Sequence, residues 1–319
     1  MKRMINLTIL LTVILVSCTL LNNGYSTVHL WEITAPGSMA LSDKYIILQA
    51  NDNEIIVIDA NSIGADPDIK ECLCLENQDF PNTALKVDGD NAIIGIANIL
   101  YRIDLNGENN PEIVSESAMQ SNILACEIFE DTVFVYIEGR GILVYRFEND
   151  SLLDFICEME SGNEVDRIIY KEGFLYTVDC FSNINIMDMG ENNLDIVHQI
   201  HSERNDDVAD LKIFGNYIFI ASKENGLRII DISNKSSPEE LEFHNSRLSF
   251  AGRFIDLGPF MNEITISSDS SLICLDIFDI KSPKIIRKSS FSGSIEGMCI
   301  IGRSTLISMP SQNYIKILE

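Results

Sequence analysis

The chain has 319 residues, enough for one large domain or two ordinary ones, and 46% of them are hydrophobic. Its 48 acidic against 23 basic residues give a formal charge of −25, a field that repels nucleic-acid phosphates. Composition therefore favours a folded protein and argues against nucleic acid as a partner.

Residues 1–17 have the pattern of a signal peptide. A basic start at Lys2-Arg3 precedes the apolar run 7–16, which is too short to span a bilayer as a helix. The run ends at Leu15-Val16-Ser17-Cys18, which resembles the lipobox of bacterial lipoproteins. That resemblance implies a lipid anchor on Cys18, with residues 18–26 as the tether. An ordinary cleaved signal or an uncleaved anchor remains the alternative.

Beyond the tether, a short apolar strand that ends in a charged residue occurs seven times. These strands are residues 55–59, 100–104, 142–146, 184–188, 227–231, 272–276 and 315–319. Their last residues are 42 to 45 positions apart, a period that is typical of repeated all-β units of propeller-blade size. The period predicts a seven-bladed β-propeller with four antiparallel strands per blade, as a single domain over residues 27–319.

The fifth unit shows the pattern of one blade most clearly. Residues 208–214 alternate like an inner strand, Gly215-Asn216 forms a turn, and 217–221 are continuously apolar, like a strand buried on both faces. The third strand, 227–231, is followed by a Ser- and Pro-containing turn and by a charged outer strand over 240–244.

The seventh unit ends at its third strand and lacks an outer one. Residues 28–33, ahead of the first unit, have strand character and no unit of their own. We expect them to complete the last blade beside 314–318, which would join the two ends of the chain and cover a sheet edge.

Residues 226–238 resemble the LVIVD repeat, an apolar strand ending in Asp before a Ser/Pro turn, and residues 272–283 resemble it more loosely. The resemblance implies a β-propeller, usually on exported or surface-anchored bacterial and archaeal proteins. It implies no catalytic residues.

The inner strands supply the main candidate site. Small residues dominate the position before the first apolar residue, but three consecutive units carry Arg167, Asp210 and Arg253 there. Two guanidiniums beside one carboxylate would leave donors free for an anionic ligand at the mouth of the central channel. An internal salt-bridge network that closes the channel is the alternative.

Other constellations predict structure rather than chemistry. The acids that end the repeated strands lie one blade apart and should accept backbone N–H bonds from the following turns. Residues 88–91 and 205–207 are oxygen-rich but do not fit a calcium loop. His198, His201 and His244 lie on or just beyond outer strands, where a surface position is favoured over the alternative of a transition-metal site. Most cysteines are expected in the core, with at most one disulfide. No catalytic residue, metal site or cofactor is predicted.

These observations favour a lipid-anchored protein of a bacterial cell envelope that acts as a non-enzymatic scaffold. Its partners would be the membrane, through the anchor, and an envelope protein or a small molecule. A hydrolase or lyase acting on sugars or peptides at the channel mouth is the second hypothesis, and a purely structural role is the third.

Overall fold

The computed structural model describes residues 28–32, 36–42, 44–50, 54–63, 68–74, 83–106, 111–148, 152–190, 193–202, 207–242, 250–258, 262–312 and 314–318. The predicted signal peptide 1–17, Cys18 and the tether 18–26 lie outside the described residues.

The described residues form seven four-stranded antiparallel sheets, the blades. After β1 (Val28–Glu32), blade 1 contains β2 (Pro36–Leu41), β3 (Tyr45–Ala50), β4 (Glu54–Asp59) and β5 (Ile69–Cys74). Blade 2 contains β6 (Thr83–Asp88), β7 (Asn91–Ile96), β8 (Ile99–Asp104) and β9 (Glu112–Ala118). Blade 3 contains β10 (Ile123–Phe129), β11 (Thr132–Ile137), β12 (Gly141–Glu148) and β13 (Leu152–Met159).

Blade 4 contains β14 (Val165–Lys171), β15 (Phe174–Asp179), β16 (Ile184–Met189) and β17 (Leu194–Ile200). Blade 5 contains β18 (Val208–Phe214), β19 (Tyr217–Ser222), β20 (Gly226–Asp231) and β21 (Glu239–Glu240). Blade 6 contains β22 (Phe254–Leu257), β23 (Glu263–Ser267), β24 (Ser271–Asp276) and β25 (Lys284–Ser290). Blade 7 contains β26 (Gly297–Ile301), β27 (Ser304–Met309) and β28 (Tyr314–Leu318), and two short 3-10 turns lie at Ala60–Ser62 and Pro310–Gln312.

The closing strand lies where the sequence predicted it. Strand β1 pairs antiparallel with β28, with Val28 opposite Leu318 and Glu32 opposite Tyr314. It is therefore the outer strand of blade 7, in the sheet order β1-β28-β27-β26. The prediction of a seven-bladed propeller closed by an N-terminal strand is confirmed.

The core consists of seven apolar clusters, one between each pair of adjacent blades in the described part of the chain. The cluster between blades 1 and 7 joins Ile46 and Leu48 to Leu306 and Ile317, all fully buried. Each such side chain contributes roughly 1.5–3 kcal/mol through burial. The ring is thus closed by packing as well as by the shared sheet.

The second strands are buried on both faces, which explains their continuous apolar sequence. Every residue of β11 and of β27 is buried. The turn before β19 needs a left-handed residue, and Gly215 supplies it with a φ of 54°.

Each blade thereby presents turns to two sides of the ring. The lower face carries the turns between first and second strands and those between third and fourth strands. The upper face carries the turns between second and third strands and the connections between blades. No helix within the described ranges is long and apolar enough to cross a bilayer.

Candidate functional site: the central channel

The inner strands of all seven blades surround a central cavity of about 620 Å³. Each inner strand is the first strand of its sheet, so one edge of its backbone faces the channel rather than another strand. N–H and C=O groups along such an edge need partners from outside their own sheet. Side chains of neighbouring blades supply many of them.

Residues at the same register on adjacent inner strands meet across the channel wall, so these strands run in the same direction. Lys86 of blade 2 lies 3.1 Å from the Glu127 carboxylate of blade 3. Lys212 of blade 5 lies 3.6 Å from the Asp256 carboxylate of blade 6. Each of the four residues lies opposite the equivalent residue of the second strand in its own blade. Their side chains therefore lie at the same height along the channel.

Carboxylates also bind the exposed backbone edge of the following blade. Asp210 accepts a 3.1 Å hydrogen bond from the Ile255 N–H, and Asp256 accepts a 2.9 Å bond from the Ile300 N–H. Asp88 accepts one in the same way from the Glu130 N–H. These acids therefore join one inner strand to the next.

Two of the three predicted mouth residues are together. Arg167 Nη1 lies 3.5 Å from Asp210 Oδ1, and its Nη2 donates to the Ala209 carbonyl oxygen. Both Arg167 and Asp210 line the cavity. The guanidinium is half-buried and the carboxylate more so, which leaves one side of the arginine facing the channel.

Arg253 lies apart from that pair. Its guanidinium binds the Glu296 carboxylate in a bidentate arrangement, at 3.1 and 2.7 Å, and donates to the Ile295 carbonyl oxygen at 3.0 Å. Asp269 lies 3.7 Å away. The expected arrangement of two guanidiniums beside Asp210 is therefore wrong, because Arg253 binds blade 7 instead.

The misplacement follows from a difference of one residue in register. Asp210 pairs with Ala221 after a bulge in β18, whereas the equivalent residue of blade 6 is Phe254, opposite Ser267. Arg253 precedes β22 and reaches over the upper rim. Aligning the inner strands by their first apolar residue cannot detect this bulge.

The pKa values of Asp166 and Glu296, two acids that line the channel, shift in opposite directions. Burial raises the pKa of Asp166, and Glu164 and Asp179 raise it further, against the opposing effect of the Arg167 charge. By contrast, the hydrogen bonds from Arg253 lower the pKa of Glu296. Asp166 is thus a described carboxyl group with a raised pKa, and its side chain is exposed at the upper mouth of the channel.

Lys212 keeps its charge inside the channel. Desolvation lowers the pKa of Lys212, but the Asp256 and Asp210 carboxylates raise it more, so the net shift is upward from 10.5. Lys86, Glu127, Lys212 and Asp256 were not singled out from the sequence. The sequence signal that could have found them is a pair of opposite charges at equivalent inner-strand positions of two consecutive blades.

The repeated acids act as predicted in four blades. In each, an Asp at the end of the third strand accepts the backbone N–H two residues on, at 2.8 to 2.9 Å; the acids are Asp59, Asp104, Asp231 and Asp276. Backbone bonding lowers the pKa of Asp59, and the Ser233 hydroxyl and N–H lower that of Asp231. In blade 3, Arg146 lies 3.5 Å from Asp131.

Five cysteines of the described ranges carry free thiols. They are Cys126, Cys157, Cys180, Cys274 and Cys299. Burial raises the pKa of Cys126 and of Cys299 to about 12, which keeps these channel-wall thiols protonated. No group of three His, Cys, Asp or Glu side chains suited to a metal occurs within the described ranges.

Comparison with known families gives one match, over residues 206–245, to the LVIVD repeat. This range contains the 226–238 segment whose resemblance was evident from sequence, while 272–283 lies outside it. Among curated proteins, none matches this chain.

Solved structures share the fold at low identity. A functionally unknown protein from Desulfotomaculum acetoxidans DSM 771 is 15% identical over 86% of this chain and 92% of its own, with a TM-score of 0.70. BamB from Moraxella catarrhalis is 12% identical over 96% and 98%, with a TM-score of 0.62. The Cps50 (Swd1) β-propeller domain from Myceliophteria thermophila is 8% identical over 91% and 98%, with a TM-score of 0.70. At these identities the likeness extends to the fold alone.

Proposed function

We propose that this protein is a non-enzymatic binding scaffold of a bacterial cell envelope, held to its membrane by lipid on Cys18. The propeller fold and the LVIVD repeat are compatible with a scaffold role. The anchor is supported by the basic start, the apolar run and the Leu-Val-Ser-Cys sequence.

The observation that carries the scaffold role is an exposed apolar surface on blades 3 and 4. Phe155 of β13 is 55% exposed and Ile196 of β17 is 58% exposed. They occupy equivalent places, because Phe155 pairs with Tyr145 and Ile196 with Met187 at the same point of their third strands. Phe181, in the upper turn of blade 4, is 67% exposed. Large apolar side chains that recur on adjacent outer strands favour a protein partner.

The binding test uses the intact anchored protein, recovered with its neighbours by cross-linking in its own envelope. We expect Phe155→Ser combined with Ile196→Ser to abolish capture of the main partner. The matched control replaces two exposed acids of the same strands, Asp154→Ser and Asp195→Ser, and should capture the partner normally. Equal capture by both variants would refute this surface.

The anchor has its own test. Radiolabelled palmitate should label the wild-type chain and not Cys18→Ala. Undiminished labelling of the variant would place the lipid elsewhere or remove the anchor altogether.

An enzyme at the upper channel mouth is the second candidate, favoured by Asp166. Its carboxyl has a raised pKa, and it lies next to Arg167 at a cavity of about 620 Å³. The reaction would be hydrolysis or elimination on a sugar or peptide, with Asp166 as the proton donor. A screen of such substrates should show activity that Asp166→Asn abolishes and Arg253→Ala retains. Equal activity in Asp166→Asn would exclude this site.

A further inference from the structure

Phe278 is the first sign of a further surface, on blade 6. Its N–H donates to Asp276 in the repeated turn, just as the N–H groups of Asn61, Asn106 and Ser233 do in three other blades. The turn needs only the backbone N–H of this residue, and the three other blades just named have a polar side chain at this position. The Phe278 side chain is 86% exposed. Exposure of a large ring at a position that packing does not require points to a ligand or a surface outside the molecule.

The chain around Phe278 is basic, against the charge of the whole protein. Residues 277–291 contain four basic residues and one acid, whereas the formal charge of the chain is −25. Lys281, Lys284 and Lys288 are exposed, and none forms an ion pair with a carboxylate in the described part of the chain. The Lys281 charge helps to lower the pKa of Asp231 without a direct ion pair, and all three ammonium groups are exposed to an external partner.

Protection of a sheet edge does not account for this charge. Charged side chains on an edge strand discourage strand pairing, lysine above all, and the other outer strands use carboxylates for the same purpose. The outer strands β9, β13, β17 and β21 carry carboxylates, and β25 has none. Exposed Ile285 and Ile286 lie beside the lysines on β25. Phe278, Lys281, Lys284, Ile285 and Ile286 are called the blade 6 patch below.

The patch lies on the face that the N-terminal segment enters. Phe278 and Lys281 belong to a turn between third and fourth strands, on the lower face. Strand β1 also starts at the lower face, because Val28 lies opposite Leu318 at the end of β28, on the adjacent blade. Nine residues separate Cys18 from Val28, a span of at most about 35 Å when fully extended. A lipid on Cys18 would hold this side of the ring close to the bilayer.

We propose that the blade 6 patch docks on an anionic membrane surface. Phe278, Ile285 and Ile286 enter the boundary between headgroups and acyl chains, and Lys281 and Lys284 bind lipid phosphates. The acidic remainder of the protein is repelled by the same surface, so the patch sets the orientation of the ring. The argument for orientation rests on the proposed lipid anchor, whereas the chemistry of the patch does not.

An acidic protein could bind the same lysines. The position of the patch next to the start of β1 favours the membrane, because the anchor and the patch then act on one surface. A lipid anchor and a basic patch that act on the same surface reinforce each other.

The first test measures depth in the lipidated full chain reconstituted into phosphatidylglycerol vesicles. In a Trp31→Phe background, Phe278→Trp is compared with Phe181→Trp, an exposed phenylalanine of the upper face. Brominated lipids should quench the emission at position 278 at least twofold more than at position 181. Equal quenching at the two positions would overturn the proposal.

The second test removes the anchor, with the full Cys18→Ala chain and the same vesicles at low salt. Lys281→Ser and Lys284→Ser should each weaken binding about fivefold, and their effect should shrink in high salt. Lys223→Ser, a lysine of the upper face paired with Asp207, is the matched control and should bind as the parent does.

The two tests separate the patch from the anchor. Loss of vesicle binding in the lysine variants, together with no palmitate on Cys18, would support the patch and refute the anchor. Unchanged vesicle binding, with loss of binding to polyglutamate, would overturn the membrane proposal in favour of an acidic protein partner.

Discussion

The channel wall and the blade 6 patch both contain charged residues, but they use them in opposite ways. In the channel, Asp210 and Asp256 bind backbone N–H groups of the next blade, and Lys212 binds Asp256. On blade 6, Lys281 and Lys284 are exposed and form no ion pair within the described residues. Charge that binds a neighbouring strand is used by the fold, and exposed charge that forms no direct contact in the molecule is available to a partner.

The difference explains why the most conspicuous charges in the sequence are poor guides to binding. Seven sheets that radiate from one axis leave seven inner edges facing each other, and those edges need polar partners. Arg167, Asp210 and Arg253 each bind a group of the following blade. Substitutions in the two regions should therefore affect different measurements.

The largest expected effect is from Asp256→Ala. This change leaves the Ile300 N–H without its acceptor and Lys212 without the nearer of its two carboxylates, and should lower the free energy of unfolding by about 2 kcal/mol. Urea denaturation followed by circular dichroism measures it. Asp269→Ala removes an exposed acid of the upper face, and its effect should stay under about 0.5 kcal/mol. Similar losses in the two variants would remove the distinction between channel and surface acids.

A smaller effect, with a defined pH dependence, is expected from Arg253→Ala. Its hydrogen bonds lower the pKa of Glu296 below the ordinary value of 4.5, so the pair stabilises the fold above that pH and the contribution is lost as pH falls further. Because both side chains are partly exposed, we expect a loss of about 1 kcal/mol at pH 7. The difference in unfolding free energy between wild type and variant should become smaller below pH 4.5, leaving only the part due to the Arg253 bond to the Ile295 carbonyl oxygen. A constant difference across that range would contradict the assignment.

Asp166→Asn should raise the free energy of unfolding at neutral pH, whereas Arg253→Ala lowers it. The pKa of Asp166 is raised from 3.8 by partial desolvation and by the Glu164 and Asp179 charges, so its charged form destabilises the fold above that pH and this cost is removed on protonation. We expect the variant to be more stable at pH 7 by a few tenths of a kcal/mol, since the side chain is still exposed to solvent. The gain should vanish in acid, and a destabilised variant at pH 7 would show that Asp166 has a structural partner.

The smallest effect on stability is expected on blade 6. Phe278→Ser and Lys284→Ser remove no contact that the fold uses, so the free energy of unfolding should change by less than about 0.5 kcal/mol. Thermal melts of the two variants should overlay the wild type while vesicle binding falls. A lower melting temperature for either would mean that the patch supports the fold.

The sequence predicted the architecture because the fold depends on a pattern repeated seven times. The period of the third strands, the apolar second strands and the unassigned residues 28–33 each indicated a feature that the structure has. The Asp at the end of β20 was likewise predicted to bind its turn, and it accepts the Ser233 N–H at 2.8 Å. Local patterns of this kind need only neighbouring residues.

The channel contacts could not be predicted in the same way. They join residues more than 40 positions apart, such as Arg253 and Glu296, and depend on bulges that shift an inner strand by one residue. The Lys86–Glu127 and Lys212–Asp256 pairs become evident only when the register of each blade is known. The blade 6 patch was missed because Phe278 is unusual only in comparison with equivalent turns of the other blades.

The most direct test of the claim that channel charges serve the fold is a double-mutant cycle on Lys212 and Asp256. Unfolding free energies of Lys212→Ala, Asp256→Ala and the double variant give the coupling between the two side chains. The account predicts a favourable coupling of about 1–2 kcal/mol, with both single variants destabilised. A coupling near zero, or single variants more stable than the wild type, would contradict it.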